Sequence, residues 1–216
     1  MPTDTTHTPR RRKPPARRRG KRTAQKSPLL RRVLPILLLV LALFVVFRAV
    51  RHFNTEVPSW VDVQLVHVNG SGRRGEAIER VHDIAIHYVG NPGTTAQQNR
   101  DFYDHADTQV SSHFLIGLKG EIIQCVPLGE KSSATNERNR DTISIEVCHP
   151  DETGEFTPES YASLVRLTAW LCDNFDLSRS RVIRHYDVTG KLCPLYFVEH
   201  EEAWEQFLRD VKDCDP

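Results

Sequence analysis

The feature that most constrains this chain of 216 residues is a run of fifteen residues, 33–47, without a polar side chain. Flanking apolar residues extend the run to the 22 residues 29–50, with Arg31, Arg32 and Arg48 near its ends. A membrane-spanning helix needs about 20 mostly apolar residues, and arginines at its ends can reach the polar interface. The sequence therefore predicts a transmembrane helix over residues 29–50.

A strongly basic segment precedes this run. Residues 1–32 hold 12 Lys or Arg residues and one acidic residue, whereas the rest of the chain holds 17 basic and 27 acidic residues. A composition rich in Arg, Lys and Pro, without apolar periodicity, predicts a disordered arm over residues 1–28. The positive-inside rule keeps this arm in the cytoplasm and predicts that the chain after residue 50 lies outside the membrane.

Two other interpretations of the N-terminal part are open. A cleaved signal peptide also combines a basic start with an apolar run, but no cleavage site of small residues follows here. We therefore favour an uncleaved signal-anchor in the cell membrane. Basic segments also bind nucleic-acid phosphates. This one adjoins the apolar run and has no interleaved aromatic residues, so we predict no nucleic-acid partner.

The rest of the chain has the length and pattern of one folded domain. Residues 51–60 are predicted to form a short stalk and residues 61–216 a single α/β domain with a mixed central sheet flanked by helices. The predicted strands are residues 61–68, 83–89, two within 113–127, 142–147 and 181–186. The predicted helices run from Thr94 or Thr95 to about Ala106, from 157 to 175 and over about 198–212, and residues 128–141 are predicted to form an exposed loop.

Three residues could hold a metal ion. His87 lies on a predicted strand opposite Ile84 and Ile86, His185 ends a later strand, and Cys193 follows it. Two imidazoles and one thiolate are the ligands of a catalytic zinc ion that keeps a fourth position open. The spacing alone is weak evidence, because these residues are far apart in the chain. Two hydrogen-bonded histidines and a buried thiol are the alternative.

Two charged residues accompany this set. Glu146 shares one face of the strand 142–147 with Ser144, whereas Ile143, Ile145 and Val147 share the other. A carboxylate within an apolar strand is costly unless it is paired, hydrated or functional. It indicates either an edge strand with a solvated face or a general base. Lys191 could stabilise an oxyanion, with an exposed surface lysine as the alternative.

Four sequence blocks carry a family resemblance, in order: IHYVG around His87, SSHFLIGLKGEI at 111–122, TISIEV at 142–147 and RHYDVTGKLCP at 184–194. Together they resemble the zinc-dependent N-acetylmuramoyl-L-alanine amidases of the phage-lysozyme and peptidoglycan-recognition-protein type, most closely the Gram-positive bacterial branch. The resemblance spans about residues 66–204.

The resemblance implies a role for each matching residue. His87, His185 and Cys193 become the ligands of one zinc ion. Glu146 and Lys191 become catalytic residues. His113 lies near the substrate groove, with a packing role as the alternative. The phage enzymes have a catalytic tyrosine directly before the His-Phe pair, where this chain has Ser112, which favours Glu146 over a tyrosine-assisted mechanism.

The function implied by the resemblance is hydrolysis of the amide bond between the lactyl group of N-acetylmuramic acid and L-alanine in peptidoglycan. Three rivals are a non-catalytic peptidoglycan-binding module of the same fold, a cysteine hydrolase with Cys193 as nucleophile and His185 as base, and a nucleic-acid-binding protein acting through its arm. Outside the cell the other four cysteines could pair in three ways, between which the sequence does not choose.

Overall fold

The computed structural model describes residues 28–52 and 56–216, with side chains given for 33–46 and 56–216. The predicted arm over residues 1–28 lies almost wholly outside the described residues, as does part of the predicted stalk. The chain divides into two units between Val46 and Phe47.

The first helix, α1, spans Pro28–His52 and covers the segment predicted to cross a membrane. It contains one internal proline, Pro35. Of the helices that the structure describes, none is both long and apolar enough to cross a membrane.

The centre of the second unit is a six-stranded mixed sheet, so the predicted α/β class is confirmed. In spatial order its strands are β1 (Asp62–Val63), β4 (Ile122–Gln124), β3 (Phe114–Ile116), β5 (Thr142–Val147), β2 (Asp83–Tyr88) and β6 (Val182–Arg184). The pair β3 and β4 is antiparallel, and every other neighbouring pair is parallel.

Helices cover both faces of this sheet. Side chains from α3 (Pro158–Phe175) and α6 (Glu201–Asp213) pack with Ile84, Ile86, Ile143 and Ile145 on one face. Side chains from α2 (Ala96–Tyr103) pack with Leu115 on the other face. Ile84 and Ile86 of β2, and Ile143 and Ile145 of β5, therefore share faces as the sequence predicted, although nearly every residue of both strands is buried.

The helix starts follow local capping signals. The Thr95 side chain accepts from the backbone of Gln98, and the Gln98 side chain accepts from the backbone of Thr95, which completes a capping box at the start of α2. Thr157 caps α3 through the backbone N–H of Ser160, with Pro158 at the first helical position. Both starts agree with the sequence prediction.

Two predicted strands differ from the structure. Strand β1 has two residues instead of eight. Beyond it, the backbone N–H groups of Gln64 and Val66 still donate to the carbonyls of Gln124 and Cys125, at the end of β4 and just after it. The strand predicted over 181–186 ends at Arg184, because the backbone turns at His185 into a short helix, α4 (His185–Thr189). The helix predicted over about 198–212 is α6, and a separate short helix, α5 (Leu195–Glu199), precedes it. The predicted loop 128–141 contains a 3-10 turn, Asn136–Arg140.

Candidate metal centre

The structure brings together the three residues that the sequence proposed as metal ligands. His87 lies near the carboxyl end of β2, and His185 begins α4 directly after β6, the parallel neighbour of β2. The ligand atoms of His87, His185 and Cys193 lie within 4.8 Å of one another. The Cys193 Sγ atom is 3.8 Å from His87 Nδ1, and the two imidazole centroids are 4.7 Å apart. All three residues are buried.

The turn after α4 returns Cys193 to the two histidines. Gly190 ends α4 with φ of 76°, a left-handed conformation that glycine adopts without steric cost. The Tyr186 backbone N–H then donates to the Cys193 carbonyl over 2.9 Å. Buried Arg184 fixes the start of this segment by pairing with Asp187 and Glu201.

The protonation states of these groups suit metal binding. Burial, with the nearby positive charges of His185 and Lys191, lowers the pKa of His87 well below its usual value. Burial also lowers the pKa of His185. Both imidazoles are therefore neutral near pH 7 and have a lone pair available for a cation.

The Cys193 thiol has the opposite shift. Burial raises its pKa to about 12, and the negative charge of Glu146 adds to this effect. A thiol in this state supplies little thiolate by itself, which disfavours the cysteine hydrolase. A bound cation would deprotonate it. Two neutral imidazoles, together with a thiol that a cation can deprotonate, form a ligand set that fits zinc and leaves its fourth position open.

Glu146 faces the same site from the neighbouring strand. It pairs in register with His87 across β5 and β2, and its Oε1 atom is 3.8 Å from His87 Nδ1. Its other oxygen, Oε2, is buried and has no hydrogen-bond partner in the described part of the chain. Burial raises the pKa of Glu146 to about 8, opposed by the positive charge of Lys191. Strand β5 is interior to the sheet, so the edge-strand alternative is wrong.

Lys191 lies on the exposed turn between His185 and Cys193. Its positive charge opposes the rise in the pKa of Glu146 and adds to the lowering of the pKa values of His87 and His185. Lys191 is therefore an exposed lysine and also affects the charge of the site.

The structure does not bring His113 into this group. His113 is fully buried, and its Nδ1 atom accepts from the Ser144 backbone N–H over 3.0 Å. Its Nε2–H can then donate to the Glu130 carbonyl over 2.9 Å. Both ring nitrogens have protein partners, and substrate contact by His113 stays a prediction. Ser112 is also buried and donates to the Phe114 carbonyl.

Two further residues touch the histidines and were not singled out from the sequence. The Thr135 Oγ1 atom is 3.1 Å from His87 Nε2, and the Asn136 Oδ1 atom is 2.9 Å from His185 Nε2. Both residues fall in the polar segment predicted as an exposed loop. No local pattern distinguishes them, because their partners are about 50 residues away in the chain.

Each of the five cysteines is free, and all except Cys214 are buried.

Comparison with known proteins identifies the family. Residues 78–195 match the family model described as N-acetylmuramoyl-L-alanine amidase. The chain is 28% identical over 163 residues to N-acetylmuramoyl-L-alanine amidase CwlL of Bacillus licheniformis, covering 68% of this chain and 45% of that protein. It is 27% identical over 168 residues to N-acetylmuramoyl-L-alanine amidase BlyA of Bacillus subtilis (strain 168), with the same coverage. The chain thus spans about half the length of the curated relatives it matches.

Solved structures share the fold. The catalytic domain of XlyA matches with a TM-score of 0.61 and 24% identity, over 70% of this chain and 98% of that domain. A mutant endolysin from Bacillus subtilis matches with a TM-score of 0.60 and 23% identity, over 70% of this chain and 97% of the other. Since the family model covers more than half of the sequence, this chain belongs to the N-acetylmuramoyl-L-alanine amidase family.

Proposed function

We propose that this protein hydrolyses the amide bond between the lactyl group of N-acetylmuramic acid and L-alanine in peptidoglycan, with one zinc ion held by His87, His185 and Cys193. The observation that carries the proposal is the geometry of these three donors beside Glu146. Glu146 Oε1 lies 3.8 Å from His87 Nδ1, and its buried Oε2 atom has no hydrogen-bond partner among the described residues. Family membership supports peptidoglycan as the substrate class.

The reaction needs a proton acceptor, a stabilised oxyanion and a proton donor for the leaving group. Zinc bound at this site supplies Lewis acidity towards the amide carbonyl and towards a water molecule. The raised pKa of Glu146 would be lowered by Lys191 together with a cation at this site, and the Glu146 carboxylate would then accept a proton from the water as the water oxygen forms a bond to the carbonyl carbon. The Lys191 ammonium stabilises the negative charge on the carbonyl oxygen. When the carbon–nitrogen bond breaks, Glu146 returns the proton to the alanine nitrogen, leaving a lactyl carboxylic acid and a free peptide amine, which ionise to a carboxylate and an ammonium group.

The non-catalytic binding module is the second candidate in the same family. A module that only binds peptidoglycan needs neither a complete set of metal ligands nor a buried carboxylate beside them. Because a buried carboxylate oxygen without a hydrogen-bond partner destabilises a fold, the buried Oε2 atom of Glu146 in an interior strand favours the enzyme.

The experiment that tests the proposed function identifies the product. Purified peptidoglycan treated with the full-length protein and zinc should release stem peptides with a free N-terminal alanine, and the glycan strands should keep intact N-acetylmuramic acid. Mass spectrometry of the soluble and insoluble fractions distinguishes this cut from glycosidic or peptide–peptide cleavage. Binding to peptidoglycan without peptide release would instead favour the binding module.

We also propose a location, for which the support is the sequence alone. The basic arm and the apolar residues 29–50 favour a single-pass anchor in the cell membrane, with the N-terminus in the cytoplasm and the folded domain facing the cell wall. The described side chains of α1 cover only 33–46 of this segment. Fractionation of cells should recover the full-length protein with membranes, and protease added outside should remove the domain. A soluble mature form that begins near residue 50 would contradict the anchor.

A further inference from the structure

One short segment of the chain contacts both candidate ligand histidines. The adjacent residues Thr135 and Asn136 precede and begin the 3-10 turn, where Thr135 is fully buried and Asn136 lies at the surface. Thr135 Oγ1 lies 3.1 Å from His87 Nε2, and Asn136 Oδ1 lies 2.9 Å from His185 Nε2. Each histidine therefore has a side-chain oxygen partner at its Nε2 atom.

The chemistry of these contacts determines which nitrogen carries the proton. The Asn136 Oδ1 atom can only accept, so His185 Nε2 must donate and His185 Nδ1 keeps its lone pair. In His87, Nδ1 faces the Cys193 sulfur and the Glu146 carboxylate, each at 3.8 Å. If the Thr135 hydroxyl accepts from His87 Nε2–H, the Nδ1 lone pair is the one that faces the site.

The segment that carries Thr135 and Asn136 is held in place independently of the histidines. The Asn139 side chain accepts from the Ala134 and Thr135 backbone N–H groups, over 3.0 and 2.7 Å. Arg138 pairs with Asp141 over 2.7 Å and with Asp83, a buried residue at the start of β2. The segment is thus fastened to the strand that carries His87.

The backbone at Asn136 is adapted to this contact. Its φ of 54° is in the left-handed region, which asparagine and glycine adopt more readily than other residues. Loop conformation and side-chain contact therefore favour the same residue type at position 136.

We propose that Thr135 and Asn136 are positioning residues that hold His87 and His185 with Nε2 protonated and Nδ1 directed at the metal ion. The identity of the ion as zinc rests on the proposed function. Outer hydrogen bonds of this kind fix the tautomer and orientation of a ligand imidazole and raise its basicity, and their loss typically weakens metal binding by about 10- to 100-fold.

Zinc affinity of the full-length chain tests the proposal, measured by competition with a chromophoric chelator. Asn136→Gly removes the acceptor but permits the same backbone conformation, and Thr135→Val removes the hydroxyl at similar volume. Each should weaken zinc binding by about 10- to 100-fold. Asn136→Asp and Thr135→Ser keep an acceptor and should bind zinc nearly as wild type does. Arg140→Ala, at an exposed position of the same turn, is the matched control.

A spectroscopic readout separates positioning from general loosening of the loop. Long-range nitrogen–proton correlation spectra should show both histidines as Nε2–H tautomers in the wild type, and a loss of that preference at His185 in Asn136→Gly. The proposal would be overturned if both Asn136→Gly and Thr135→Val bound zinc with affinities within twofold of the wild type. Equal weakening in the acceptor-keeping variants would also overturn it. If wild type and variants follow the predicted affinities but release no stem peptide, the positioning role stands and the proposed activity fails.

Discussion

Replacing Glu146 with glutamine is expected to slow amide hydrolysis by about 10²- to 10⁴-fold while the zinc content stays at one ion per chain. Glutamine keeps the shape of the side chain but cannot accept a proton from water. Since Glu146 lies 3.8 Å from His87 Nδ1 without itself being in the set of three proposed ligands, its loss should affect turnover and leave metal binding intact. The release of free alanine amino groups from peptidoglycan gives the rate, and atomic emission gives the zinc content.

Two companion variants make this result specific. Glu205→Gln removes an exposed carboxylate on α6 and should leave the rate unchanged. Lys191→Ala should lower turnover on the order of 10²-fold with zinc retained, because the negative charge on the carbonyl oxygen loses its cationic neighbour. Stem-peptide release by Glu146→Gln at close to the wild-type rate would show that another group accepts the proton.

Cys193→Ser is expected to remove most of the bound zinc and, with it, the activity. A serine hydroxyl is a poor substitute for a thiolate ligand, so the loss of affinity should exceed the roughly 10- to 100-fold that loss of an outer hydrogen bond costs. Zinc per chain after dialysis and peptide release by the same sample measure the two effects. In the wild type, a strong chelator should abolish activity, and added zinc should restore it.

Cys214→Ser is the matched control, because Cys214 is partly exposed and lies outside the site. It should retain both zinc and activity. The hypothesis of a cysteine hydrolase predicts a different result, in which Cys193→Ser is inactive but the chelator has no effect on the wild type. That outcome, or full zinc content in Cys193→Ser, would contradict the ligand assignment.

The parts of the fold with strong local signals were predictable from the sequence. The alternation of Ile143 and Ile145 with Ser144 and Glu146 identified both faces of β5, because side chains alternate along a strand. The cap of α3 was predictable because Thr157 and the proline after it act within one turn. The shortness of β1 was not predictable, because an edge strand ends where its neighbour ends.

The candidate site was only partly predictable, because local sequence signals do not report contacts between residues that are far apart in the chain. His87, His185 and Cys193 were recognised through their sequence blocks, since their spacing along the chain says nothing about their separation in space. Thr135 and Asn136 have no such block. Their contacts arise because an ion pair between Arg138 and Asp83 fastens a polar segment to a distant strand. Composition predicted exposure for that segment, whereas tertiary contact buries Thr135.

The register between β2 and β5 has a consequence for how long the site survives. His87 and Glu146 face each other across two hydrogen-bonded strands inside the sheet, and a slip of one residue would turn one of them to the opposite face. The centre of a sheet opens only with near-global unfolding, whereas surface turns open at much lower free energy. We therefore expect the spacing between His87 and Glu146 to last as long as the domain stays folded, and the surface contact of Asn136 to open first.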